Sequence, residues 1–267
     1  MVAAILKPRE ANSHKGNHGH SLIIAGEKGK MGAAVIAAKA CLRSGTGLLT
    51  MNVPQKERSI LQTTIPEAMI TMREDVKSDR PDFSAIAIGP GIGTSRLAQQ
   101  LVTKTIKQSN HPLVLDADAL NIVAANKKLL AYLKEETIIT PHPKEFDRLF
   151  GEHNSIKDRM NSAINIAKQN KIVVVLKGHP TLVANSNTSF INTTGNAGLA
   201  KGGSGDALTG MITAFLAQGY KPFDAAILGV YIHGLAADIA LNEQSMESML
   251  ITDVINCLGT AFKHIYA

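Results

Sequence analysis

The chain contains no tryptophan, and aromatic residues make up only 4% of it, so its core cannot be organised around large rings and must be filled by Ala, Ile, Leu and Val. Hydrophobic residues account for 45% of the 267 and charged residues for 19%, a composition that suits helices packed closely on a sheet. Cysteine is nearly absent. Cys41 and Cys257 lie in helix-like apolar surroundings and form no CxxC pair, which argues against a disulfide and reads as two buried thiols in a reducing cytoplasm.

Long hydrophobic runs are missing too. Stretches such as AAVIAAKACL and KIVVVLKG are short and carry lysine, below the about 18–20 uninterrupted residues that span a bilayer. The N-terminus, MVAAILKPRE, has no basic n-region and too little apolar length for a signal peptide, so a cytoplasmic location is expected. No repeat, low-complexity tract or linker divides the sequence, and residues 1–267 read as one domain. The net charge of +6 comes from dispersed lysines without a basic block or an interleaved aromatic platform, and a small anionic ligand accounts for it as well as nucleic acid does.

What is present is an alternation of short apolar runs and helical patterns. Strands are expected at His20–Ala25, Leu48–Val53, Ala85–Ile88, Leu113–Leu115, Thr137–Thr140, Ile172–Leu176, Thr181–Ala184 and Ser189–Asn192. Helices are expected over about Ala33–Arg43, after a Thr94 cap, over Ser155–Lys168, and as a closing trio at Gly205–Gln218, Pro222–Leu241 and Leu250–His264. Such an alternation predicts an α/β fold with a mainly parallel sheet covered on both faces, in which ligands bind beyond the carboxyl ends of the strands. GPGIG, DAD, TPHP and KGHPT all follow predicted strands and so share one edge.

The densest chemistry lies in TTGNAGLAKGGSGDALTG, residues 193–210. Glycines let a backbone approach a ligand, and the first turn of a helix leaves N–H groups unpaired and oriented for an anion. GGSG opening a helix is therefore a candidate phosphate cradle. Asp206 in that first turn either caps the helix or, since it would repel a resting phosphate, takes a proton from an attacking hydroxyl; the glycine-rich setting favours the second account.

The other motifs are less specific taken singly. GPGIGTS lacks the third glycine of a dinucleotide fingerprint, although Asp116 stands near the spacing of a ribose-binding acid. GEKGKMG departs from a phosphate-binding Walker loop in its spacing and in having no Ser or Thr after the lysine. KGHPT suits contact with a nucleotide or a plain turn between strands. His14, His18 and His20 lack a fourth ligand in pattern for zinc, and His233 reads as a packed helix residue. His142, between two prolines, either contacts substrate or opens the helix of Lys144–Phe150.

Taken in order, HKGNHGHSLIIAG, KMGAAVIAAKACLRSGTGLLT, AIAIGPGIG, LVLDADALN, IITPHPKEF, VVLKGHPT and NTTGNAGLAKGGSGDALTG resemble the NAD(P)H-hydrate dehydratase family of the ribokinase-like superfamily, over nearly the whole chain. The resemblance implies a ribokinase-like three-layer fold and a hydro-lyase that returns (6S)-hydrated NADH or NADPH to the reduced cofactor, with ADP, or ATP in other members, as co-substrate and Mg²⁺ as the ion. Its metal ligands are unassigned. By position it implies Asp206 as catalytic base and an anion hole from the N–H groups of Gly203, Ser204 and Gly205. Lys177, Gly178, His179, Pro180, Thr181 and Gly205 would contact the AMP portion. Ala33, Gly93, His142 and Asp206 would contact the hydrated dinucleotide.

It further implies a homotetramer and, in many relatives, an added epimerase domain. Two departures from the family pattern stand out: Ala197 where a proline is usual, and Lys201 where a small or hydroxyl residue is usual, a cation that faces either the phosphate site or solvent. Three other accounts remain: a ribokinase-like kinase of a small vitamin-precursor alcohol, a nucleotide-binding regulator without turnover, and, last, an oxidoreductase using GPGIG.

Overall fold

A computed structural model describes residues 2–74 and 82–267. After a short helix α1 (Val2–Ile5), the chain alternates through β1 (His20–Ile24), α2 (Met31–Arg43), β2 (Leu48–Val53), α3 (Arg58–Thr64), β3 (Met69–Met72), β4 (Ala85–Ile88), α4 (Arg96–Gln108), β5 (Leu113–Leu115) and α5 (Ala117–Ala125). It continues with β6 (Ile138–Ile139), α6 (Pro143–Phe150), α7 (Ile156–Asn170), β7 (Val173–Leu176), β8 (Leu182–Ala184) and β9 (Ser189–Ile191), and closes with α8 (Ser204–Ala217), α9 (Pro222–Ala240) and α10 (Ile251–Tyr266). The strands form one sheet in the order β3-β2-β1-β4-β5-β6-β7-β8-β9. Pairing is parallel as far as β7 and antiparallel for the last two strands.

The pleat divides the core in two. Ile23, Ala85, Ala87, Val114, Val173 and Val175 face one layer, with α2, α8, α9 and α10, while Leu22, Ile24, Ile86, Ile88, Leu115 and Val174 face the other, with α4, α5, α6 and α7. Because successive side chains alternate, continuous apolar runs such as VVVL are what a strand covered on both sides requires. Each fully buried Ile or Leu stabilises the fold by roughly 1.5–3 kcal/mol, so both layers are needed. The mainly parallel, doubly covered α/β sheet is the one expected.

Small residues set the layer spacing. At Gly210 of α8, an added Cβ would overlap the Ala37 carbonyl oxygen of α2, so the two helices approach backbone to backbone. This is how an alanine-rich, tryptophan-free core closes without large side chains.

Some expectations need correction. The sequence reading omits α3, the edge strand β3 and α5; β3 is four residues long and only partly covered, and α5 follows directly on a strand end, so neither gives a strong periodic signal. Ser95, not Thr94, caps α4, its hydroxyl accepting the Ala98 N–H at 3.3 Å. By length and composition α9 is apolar enough to cross a membrane, contrary to the sequence reading of the longest runs, but it is packed into the protein between α8 and α10. Cys41 is fully buried, its thiol pushed up to about 12 by burial, whereas Cys257 is half-buried; both are free.

Candidate active site

The carboxyl ends of β1, β4, β5, β6 and β7 bring GEKGKMG, GPGIG, Asp116, TPHP and Lys177 to one edge of the sheet, and the first turn of α8 comes down onto them. Gly203, at φ 93°, is the N-cap of α8, a left-handed conformation that favours glycine. A Cβ there would stand 2.6 Å from Ile36 Cδ1 and 3.0 Å from Ile251 Cγ2, so the turn is wedged between α2 and α10. The N–H groups of Gly203 and Gly205 meet no acceptor among the described residues. That of Ser204 leans on the Lys201 carbonyl at 3.4 Å, a long bond that an anion could displace.

Beneath this turn lies a charged cluster. The Lys177 ammonium donates to Asp116 Oδ1 at 2.8 Å and stands 4.0 Å from Glu145 Oε2; Thr209 Oγ1 donates to the other Asp116 oxygen at 2.7 Å. Asp116 is 1% exposed and fully engaged, so it is not available to a ribose as its spacing suggested. A Cβ on Gly205 would be 3.1 Å from the Lys177 nitrogen, which puts the bare helix turn directly over the cation. Although burial works against its charge, Asp116 and Glu145 hold the Lys177 ammonium above the ordinary lysine range.

Asp206 completes the cluster. Burial and then the Asp116 charge push its carboxyl up to about 6, against the pull of Lys177. An acid tuned to that range can hold or release a proton near neutrality, as a general base must.

His142 is the N-cap of α6: its Nδ1 accepts from the Lys144 N–H at 3.1 Å and the Glu145 N–H at 3.4 Å, while its backbone N–H donates to Glu145 Oε2 at 2.9 Å. Burial and the Lys177 charge lower its pKa, so the ring is neutral near pH 7, and the hydrogen-bond network leaves the proton on Nε2. The ring is half-exposed and can cap the helix and offer Nε2–H to a ligand together.

Ala33 and Gly93 belong to the opposite rim. GPGIG lies on the start of α2, where a Cβ on Gly91 would be 3.0 Å from Ala33 Cβ, and the Gly93 N–H donates to Asp118 Oδ2 at 2.8 Å. Arg73 steadies this rim by donating to the carbonyls of Ala25, at 2.8 Å, and Gly26. KGHPT is divided: Lys177 turns inward, Gly178, His179 and Pro180 are exposed, and the Thr181 hydroxyl donates to the Gly178 carbonyl at 2.7 Å.

The remaining candidates lie elsewhere. His14, His18 and His20 are at the amino end of β1, where His14 caps a single turn, His18 meets Ser13 and His20 meets Thr50. No group of three His, Cys, Asp or Glu side chains suited to a metal occurs among the described residues. His233 is buried in α9 and pushed down to about 4 by burial. Lys201 faces neither phosphate nor open solvent: its ammonium donates to the carbonyls of Glu247 and, at 2.8 Å, Met249.

This arrangement can be set against known proteins. The family model described as NAD(P)H-hydrate dehydratase matches residues 21–259. The chain belongs to that family. The ADP-dependent (S)-NAD(P)H-hydrate dehydratase of Bacillus subtilis is 35% identical over 98% of this chain and 95% of its own length. A crystal structure of the B. subtilis ADP/ATP-dependent NAD(P)H-hydrate dehydratase, co-crystallised with ATP and Mg²⁺, superimposes with a TM-score of 0.87 at 33% identity, covering 99% of this chain and 96% of that one. The fold is thus the ribokinase-like one expected of the family.

The bifunctional NAD(P)H-hydrate repair enzyme of Moorella thermoacetica is 35% identical over 97% of this chain, which spans only 52% of that enzyme. The chain therefore covers about half the length of such two-activity members of the family. Sequence reasoning singled out Asp116 as a ribose-binding acid, not as the partner of Lys177, and missed Glu145 and Thr209 as parts of the site; TPHPKE at a strand end was the available signal for Glu145, and nothing marked the threonine.

Proposed function

We propose that this protein removes water from (6S)-hydrated NADH or NADPH, driven by ADP, which becomes AMP and phosphate. The observation that carries the reading is the meeting, at the first turn of α8, of open N–H groups, a carboxyl tuned to about 6 and the Lys177 ammonium. Hydroxide is a poor leaving group. Asp206 takes the proton of the hydrate's hydroxyl as that oxygen attacks the terminal phosphorus of ADP, and the bond to the bridging oxygen breaks, releasing AMP. The N–H groups of Gly203 and Gly205, already open, and that of Ser204, once it leaves the Lys201 carbonyl, hold the phosphoryl oxygens in transit. The ring nitrogen's lone pair then expels phosphate from the ring carbon, and loss of a proton from the neighbouring carbon restores the double bond.

Gly205 and the segment Lys177–Thr181 form the side on which the AMP portion rests, and Ala33, Gly93 and His142 receive the hydrated dinucleotide. Mg²⁺ suits this site as an ion carried by the nucleotide: it needs only one or two carboxylates when phosphates supply the other oxygens, and Asp206 stands in the turn itself. Bound there, it would neutralise phosphate charge. The protein is proposed to work in the cytoplasm as a homotetramer, with an epimerase as the companion activity.

The test is direct. Incubating the protein with each hydrate and ADP should restore reduced-nicotinamide absorbance and yield AMP and phosphate in equal amounts; no recovery with either ADP or ATP would overturn the reading.

A further inference from the structure

The segment that delivers the turn, residues 193–203, is tied at both ends. At its start the Thr194 hydroxyl donates to the Tyr231 carbonyl at 2.8 Å, and the Gly195 N–H and the Asn196 amide donate to the Asp238 carboxylate at 2.8 and 3.0 Å, all on α9. At its end the tie is Lys201. The ammonium reaches the carbonyls of Glu247 and Met249, immediately before Leu250, the N-cap of α10. The backbone of the same residue accepts the Ser204 N–H, and Gly203 is pressed between Ile36 and Ile251.

One residue therefore connects the approach to α10, through its side chain, with the N-cap of α8, two residues further along the chain. A cation on two carbonyl dipoles holds more strongly than a neutral donor would. We infer that Lys201 is a positioning residue: by latching onto 247–249 it sets where the Gly203–Gly205 N–H groups and the Asp206 carboxylate stand, and it assists turnover without touching the nucleotide. This rests on phosphoryl transfer at that turn, as proposed above.

Lys201→Met keeps the apolar stem and removes the donors, and the anchors on α9 keep the segment folded. The expected result is a kcat lowered about 10-fold with KM for ADP nearly unchanged, as displacement of preorganised groups produces. In the nucleotide-free protein, amide exchange at Ser204 and Ala207, whose N–H groups donate to the Lys201 and Gly203 carbonyls, should speed up about 10-fold while the core amides keep their protection. Lys201→Arg, which can still donate to both carbonyls, should recover most of both effects. Ala197, first in the Ala197–Leu199 turn, is a position where proline is well accommodated, so Ala197→Pro added to Lys201→Met should recover part by stiffening the segment.

Wild-type turnover and exchange in Lys201→Met would overturn the inference. So would a raised KM for ADP at unchanged kcat, which marks a direct ligand, or a global loss of protection that Lys201→Arg fails to restore, which marks a purely structural tie. If the wild-type protein itself shows no turnover, the proposed function fails, while the exchange comparison still judges the latch.

Discussion

The Lys177 ammonium and the Asp116 carboxylate, 61 residues apart in sequence, meet at 2.8 Å beneath the first turn of α8. Lys177→Met would leave Asp116, 1% exposed, with Thr209 as its remaining partner. Breaking a buried pair from one side is strongly destabilising, and a loss of about 3 kcal/mol is expected near neutral pH. Urea unfolding checks this; an unchanged midpoint means that the pair contributes nothing net.

Asp206 gives opposite pH trends for stability and for rate. Its folded pKa of about 6 lies above the roughly 3.9 of an unfolded aspartate, so between the two the folded state retains a proton that the unfolded state has released. The group's contribution to stability therefore falls as pH rises through that window. As the proposed base, Asp206 must be ionised to act, so kcat/KM should climb through about 6 to a plateau. Asp206→Asn should lower the rate by about 10²–10⁴-fold and remove this limb. A wild-type profile flat across the window would rule out Asp206 as the base.

His142 caps α6 and is proposed to meet the hydrated dinucleotide, two roles that substitution can separate. His142→Ala removes the α6 cap and should destabilise the protein by about 1 kcal/mol, whereas His142→Asn, a strong N-cap, should restore stability. If Nε2–H meets the hydrated dinucleotide, the Asn variant keeps a raised KM for that substrate. Full recovery of KM in His142→Asn would reduce the residue to a cap.

Two glycines of α8 should respond in opposite ways. Gly210→Ala drives a Cβ into the Ala37 carbonyl, and separating two helices should lower stability by about 2–3 kcal/mol. Gly205→Ala meets the tip of Lys177 and, at ordinary van der Waals distance, Asp116 Oδ2, and replaces glycine with a better helix former, so stability should hold or rise by up to about 1 kcal/mol. Turnover should nevertheless fall about 10-fold or more, because in the proposed mechanism the methyl group would sit where phosphoryl oxygens approach the N–H groups. Thermal unfolding and steady-state rates on both variants decide the matter.

The alternation of apolar runs and helical patterns, the arrival of GPGIG, DAD, TPHP and KGHPT at one sheet edge, and the opening of a helix at GGSGD were all legible in the sequence, because each depends on local periodicity or on turn chemistry. The edge strand Met69–Met72 was not, since a short, half-covered strand has little pattern to show. Tertiary structure alone decided which side chains oppose one another. It joined Lys177 to Asp116 and Thr209, put His14, His18 and His20 at the amino end of β1, away from the carboxyl-end site, and turned Lys201 onto the carbonyls of Glu247 and Met249. Such pairings depend on how distant segments fold over the sheet, and on the desolvation that makes a buried charge seek its partner, neither of which local spacing encodes.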